Sequence, residues 1–350
     1  MKKGRLDLEL EKWTILIVCA ALIAGAAFFL PACMPTYPKE KLPETVKSVC
    51  RIEYGMDVDV VVVGSTMGIY YPMKGLLDVG LGINRDAWDT ISNLVLVASR
   101  VVLSTDADIK FYCVITQDAR LPELQVIIIK YVEDVKRGMY RNISRSESYK
   151  RTLFNINLTP QAKKERSIEK VFDKLKIGEK TREKVLDEFF RTPPTKLSDV
   201  GYWRERFYLK DVTMEEFLAA QIANRIKINF RTEKDLAENY DFKFSEGSFI
   251  SKGGRRYFLI NFKIADKFVG DEITDPRVIK IQEILQIANK VVYGYKFKDF
   301  DFIEMVDQLE NARLRVGREA VYDFDKKRLS VRDIVQAPAN YFLNTTEGVH

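Results

Sequence analysis

Ala98-Ser99-Arg100-Val101-Val102 and Ala288-Asn289-Lys290-Val291-Val292 stand 190 positions apart and close two segments that read as the same helix. In the first, Trp88, Ile91, Leu94, Val95, Ala98, Val101 and Val102 recur at helical spacing and point inward. Val278, Ile281, Ile284, Leu285, Ala288, Val291 and Val292 fall on the same seven positions once 190 is subtracted. Any two amphipathic helices share a 3.6-residue template, so coincidence is the competing reading, and the flanking sequence has to arbitrate.

Outward from the first helix, Leu42 to Glu53 reads as a helix with Val46, Val49, Cys50 and Ile52 inward, ended by Gly55. Valine-rich Asp57 to Val63 and Thr66 to Tyr71 read as strands turned at Gly64-Ser65, with a loop from Gly75 to Asn84. Ser104-Thr105-Asp106 breaks the helix. Strands Ile109 to Thr116 and Leu124 to Val132 follow, with Asp118 and Pro122 in the turn between them. Around the second helix the order repeats. Thr213-Met214-Glu215-Glu216 is a capping box opening a helix through Ile226. Tyr240 to Ile250 and Arg256 to Ile264 read as strands joined at Gly253-Gly254, and Asp275-Pro276 starts the helix. The aromatic-rich stretch Tyr295 to Phe302 reads as the next strand, with Ile109 and Phe111 answered by Phe300 and Phe302 after a one-residue shift. Beyond that the likeness fades, because Glu304 opposes Cys113. The expectation is an α+β protein of two tandem αββαββ-like modules, antiparallel sheets with packed helices, at 42–150 and 211–335.

Between them, 151–210 reads as a helical linker. Thr159-Pro160 caps a helix with Ile168, Val171, Phe172 and Leu175 on one stripe. Gly178 divides it from a second helix with Val185, Leu186, Phe189 and Phe190, which Pro193-Pro194 stops. The last residues, 336–350, read as a tail.

The N-terminus specifies an address. Thr14 to Leu30 carries no charge, and Trp13 stands at its edge. Lys2, Lys3, Arg5 and Lys12 outnumber Asp7, Glu9 and Glu11 ahead of it, which leaves the N-terminus in the cytoplasm. The run lies between a signal h-region of roughly 7–15 residues and a span of about 20. It closes with Leu30-Pro31-Ala32-Cys33. This resembles the lipobox of bacterial lipoprotein precursors, which implies cleavage after Ala32 (residues 1–32 as signal), acylation of Cys33, and residues 33–41 as a tether. Membrane lipid held through Cys33 would be the first partner, and Met34 after the cysteine implies the outer membrane. An uncleaved single-span anchor with a periplasmic body and an ordinary cleaved signal are the alternatives.

Past residue 33 the chain keeps 52 basic against 47 acidic residues, a net charge of +5, too weak and dispersed for a nucleic-acid binder. His350 is the single histidine, so the folded body has no Ser-His-Asp or Cys-His catalysis and no His-based metal site. No cofactor motif is present, and no catalytic residue is assigned. Cys50 and Cys113 read as buried thiols behaving as small hydrophobes, with a disulfide as the alternative in an oxidising compartment. Arg137, Arg141, Arg145 and Arg151, with Lys136 and Lys150, cluster around Tyr140 and Tyr149 and suit an anionic partner; a solvated connection is the plainer account. Asp106, Asp108 and Asp118 flank one strand, where turn chemistry competes with acid–base hydrolysis of a wall polymer. Gly253-Gly254-Arg255-Arg256 reads as hairpin chemistry. Taken together, these features suggest an anchored envelope component that binds or assembles with an envelope protein. A carboxylate-dependent anchored hydrolase is the alternative from another class.

Overall fold

The computed structural model describes residues 37–78, 82–267, 276–336 and 341–343, so the apolar N-terminal run and Cys33 lie outside the described residues. The first module begins with helix α1 (Leu42–Tyr54) and the hairpin β1 (Asp59–Val63) and β2 (Thr66–Met73). Helix α2 (Arg85–Leu103) crosses over to β3 (Phe111–Asp118), which turns back into β4 (Leu121–Tyr131). Two short helices, α3 (Val132–Met139) and α4 (Arg145–Lys150), lead to a fifth strand, β5 (Leu153–Leu158). The linker holds α5 (Pro160–Leu175), α6 (Glu179–Phe189) and the small hairpin β6 (Gly201–Trp203) and β7 (Arg206–Tyr208). In the second module α7 (Met214–Thr232) and α8 (Lys234–Asn239) precede the hairpin β8 (Tyr240–Lys252) and β9 (Arg255–Asp266). Helix α9 (Pro276–Gly294) crosses to β10 (Phe302–Asp307) and β11 (Ala312–Gly317). Then come α10 (Arg318–Asp325), α11 (Val331–Gln336) and β12 (Tyr341–Leu343).

Both modules run hairpin, long helix, hairpin, two short helices, edge strand. Their sheets are ordered β1-β2-β3-β4-β5 and β8-β9-β10-β11-β12. The register agrees as well. Each residue of β2 pairs with the residue 45 positions later in β3, as Thr66 with Phe111, and β9 pairs with β10 at the same separation, as Tyr257 with Phe302. Cys113 lies opposite Gly68 and Glu304 opposite Leu259, so these unlike residues hold one structural position. This central pair is parallel in each sheet, where the sequence suggests antiparallel pairing throughout. A long helix carries the chain back to the starting end of the sheet, and that crossover sets the strands parallel.

Other expectations are revised locally. The expected linker opens with an edge strand, β5, and also contains the β6–β7 hairpin. Tyr295 to Asp301 is a connection rather than a strand. In α1 the buried stripe is Leu42, Val46 and Cys50, while Ile52, about 200° around the helix from Cys50, is exposed. Trp88 lies at the rim of α2, 40% exposed, edge-on to Phe154 with ring centroids 5.8 Å apart.

Helices α1 and α2 cover one face of the first sheet, burying Met67, Ile69, Tyr112, Val114, Val126 and Ile128. Helices α7 and α9 cover the corresponding face of the second, over Phe258, Ile260, Phe262, Ile303 and Met305. The other face of the first sheet carries Tyr70, Phe111, Cys113, Ile115 and Ile127, and is capped by Val200, Tyr202, Leu209, Val212 and Phe217. Gly68 makes room there, because a Cβ on it would lie 2.8 Å from Leu209 Cδ2. Helix α7 serves both modules: Phe217 packs into the first, while Leu218, Ile222, Ile226 and Phe230 pack into the second.

Candidate functional site at the module junction

The junction is fastened by a buried ionic network. Arg151 is 8% exposed. Its Nη1 donates to Asp134 Oδ1 at 2.9 Å and its Nε to Glu147 Oε1 at 2.7 Å. Its guanidinium lies 4.6 Å from the ring centroid of Tyr295 at the end of α9. From the second module the Tyr295 hydroxyl donates to Asp134, Arg225 Nη2 donates to Glu147 at 3.1 Å, and the Gln221 side chain donates to the Arg151 carbonyl. Burial works against the charge on Glu147, and the two guanidiniums outweigh it, holding the carboxyl below its usual range. Burial and the Asp134 charge push the Tyr295 hydroxyl upward, so it stays protonated and donates. The network sets one arrangement of the two modules.

Beside it lies a cleft of about 480 Å³. Its walls are β5 (Leu153, Phe154, Asn155) and β8 (Ser245 to Ile250), with Thr195 to Ser198 along one side. Each of these strands ends its sheet, so among the described residues each presents an unpaired backbone edge. The floor is one stripe of α7: Glu216, Ala220, Ala223, Asn224 and Lys227, spaced three and four apart. Alanine in the middle of the stripe keeps the floor low. Gly247 holds β8 against the helix, since a Cβ there would lie 2.0 Å from the Ala219 carbonyl oxygen. At the cleft, Glu216 is paired with Lys210, and Glu246 lies 3.4 Å from Lys196. Lys227 is half-buried, and desolvation together with the Arg231 charge holds its ammonium below the ordinary lysine range. The arrangement offers apolar surface, two strand edges and a partly desolvated cation.

The residues singled out in the sequence are distributed elsewhere. Arg151 is in the junction, whereas Arg141 and Arg145 are exposed and Arg137 is half-buried, 3.9 Å from Asp134. Cys50 and Cys113 are free thiols in different hydrophobic clusters, so no bridge links them. Burial raises Cys50 to about 11 and raises Cys113 further still. Asp106 accepts from the Lys39 backbone at 2.7 Å, and Asp108 pairs with Lys110 at 3.7 Å. Asp118 is at the other end of the eight-residue β3, roughly 25 Å away, well beyond the separation of a hydrolytic carboxylate pair. It is buried, accepts from Leu76 N–H and Arg120, and is drawn down to about 2, first by the Arg120 side chain. Gly253 and Gly254 turn the β8–β9 hairpin with φ of 61° and 74°. Among the described residues, no three His, Cys, Asp or Glu side chains gather as a metal site.

Sequence reasoning missed the α7 stripe and the junction partners Asp134, Arg225 and Tyr295. The available signals were Asp134 and Glu147, two of the three acids in an otherwise basic segment, and the polar and small positions opposite the apolar stripe of α7. Comparison with protein-family models, with curated proteins and with solved structures finds no match to this chain.

Proposed function

We propose that the chain is a membrane-anchored lipoprotein of the bacterial envelope and a non-enzymatic binding component, holding an extended segment of an envelope protein in the cleft between its modules. The construction of that cleft carries the reading: two unpaired strand edges around a low floor of small and polar side chains with a half-buried lysine. An incoming strand gains main-chain hydrogen bonds from such an edge, and alternate side chains enter the floor. Lys227 suits a carboxylate or carbonyl of the guest. The Arg151 network holds the two walls in place before binding, which lowers the ordering cost of association. Support for the anchor is the charge-free run Thr14 to Leu30 and the lipobox-like Leu30-Pro31-Ala32-Cys33. No helix among the described residues is long and apolar enough to cross a membrane.

The test is a photo-reactive amino acid at Ser248 on β8 or at Asn155 on β5, activated in living cells. The expected result is one and the same cross-linked partner from both positions, lost when Asn224→Trp fills the cleft. Absence of adducts at both positions, or adducts indifferent to Asn224→Trp, would contradict the reading.

A further inference from the structure

We infer that the end of the first module formed by α3, α4 and their connecting turn lies on an anionic lipid surface; the inference rests on the anchored reading above. Met139, Tyr140 and Tyr149 are 67%, 77% and 60% exposed, three large apolar or amphipathic side chains in one short segment. Lys136, Arg141, Arg145 and Lys150 are exposed among them. The acids of the same segment are engaged: Glu133 lies 3.5 Å from Lys136, and Asp134 and Glu147 hold Arg151 in the junction. What faces outward is therefore basic and aromatic, the composition that settles into a headgroup layer.

The path of the chain places this surface beside the tether. Tyr37 N–H donates to the Ser104 carbonyl at 3.2 Å, and Lys39 N–H donates to Asp106 at 2.7 Å. Four residues after Asp106, the Lys110 carbonyl accepts from Val132, the first residue of α3, at 2.9 Å. The tether and α3 thus meet the same end of the sheet. Four peptide units separate Cys33 from Tyr37, a reach of at most about 14 Å. An acyl group on Cys33 holds the bilayer within that distance of this end.

Arg141 gives a second observation. It follows α3 with φ of 58°, and Asn142 N–H reaches back to the Arg137 carbonyl at 2.8 Å. This is the helix-ending position at which glycine is free of strain. A cation placed there is held at the surface by a turn that the fold would make more easily without it.

The experiment uses the full-length, processed protein in vesicles of phosphatidylcholine alone or with phosphatidylglycerol. A polarity-sensitive fluorophore on Tyr140→Cys reports contact through quenching by nitroxide-bearing lipid, and flotation reports the anchor. The expected result is flotation with both vesicles and several-fold stronger quenching with phosphatidylglycerol, reversed by high salt. Arg141→Gly combined with Arg145→Gln and Lys150→Gln should bring quenching to the neutral-vesicle level with an unchanged or higher Tm. Protein that floats with both vesicles while the probe stays unquenched, or is quenched equally in both, overturns this contact and leaves the anchor standing. Flotation with phosphatidylglycerol vesicles alone overturns the anchor and supports the contact, and flotation with neither overturns both.

Discussion

Arg151 belongs to a run of basic residues in the sequence, yet burial gives it a different task from its neighbours. Its acceptors lie four and 17 residues back, at Glu147 and Asp134, and the Tyr295 ring comes from the other module; Glu147 is the one local sign of its role, and the rest is visible only in the fold. Removing it leaves buried Asp134 with only the more distant, half-buried Arg137 guanidinium at 3.9 Å as countercharge, and breaking a buried pair costs about 3–5 kcal/mol. Arg151→Met should therefore lower the unfolding free energy by about 3 kcal/mol in urea titration. Arg145→Met, on the exposed surface, should change it by less than about 0.5 kcal/mol. Asp118 makes an acid-side prediction. Its folded-state carboxyl sits near 2 against an ordinary 3.8, so its contribution of about 2 kcal/mol is present above about pH 4 and is lost as pH falls toward 2. Asp118→Asn should remove that increment at pH 7 and flatten the stability profile between pH 4 and 2.

At the level of elements, the long helices and paired hairpins were legible because each repeats an apolar residue at a fixed period. Gly64-Ser65 and Gly253-Gly254 mark their turns directly. The short helices α3 and α4 were not legible, since each has only two turns or fewer and takes its order from packing against α2 and the junction. Strand β5 was hidden because Leu153 to Leu158 alternates with asparagine next to a charged segment. Parallel pairing in the sheet centre is not written in any one strand and follows only from the crossover. The cleft escaped for a related reason: its floor is the polar and small side of a helix, which reads in sequence as a wet face. Gly247 is the residue on which its geometry depends most. A side chain there meets backbone, which has little room to yield. Gly247→Ala should cost about 2–3 kcal/mol and push β8 off α7. Gly178→Ala, where a Cβ meets nothing within 4 Å, should shift stability by less than about 1 kcal/mol. Thermal denaturation of the pair checks this.

Across the whole molecule, the second module restates the first in element order and in the 45-residue pairing offset, although their residues diverge after Phe302. The modules differ in what covers their sheets. The linker hairpin caps the outer face of the first sheet. The corresponding face of the second carries Glu304 held by Arg313 and Arg315, each at 3.0 Å. Because α7 contributes to both cores and the Arg151 network closes beside it, neither module has a complete core alone. Denaturant unfolding followed by tryptophan fluorescence, from Trp88 and Trp203 in the folded body, and by far-ultraviolet circular dichroism should therefore trace one coincident transition. Two separated transitions would mean that the modules are autonomous and the cleft walls independently mobile.

The functional account depends first on where the body is held, and the most direct measurement is the intact mass of membrane-extracted protein beside a Cys33→Ala variant. The account predicts that the native chain lacks residues 1–32 and carries a lipid-sized increment at its new N-terminus, and that the variant is neither cut nor acylated. A native chain still bearing Met1, or one trimmed at Cys33 with no lipid, would contradict it.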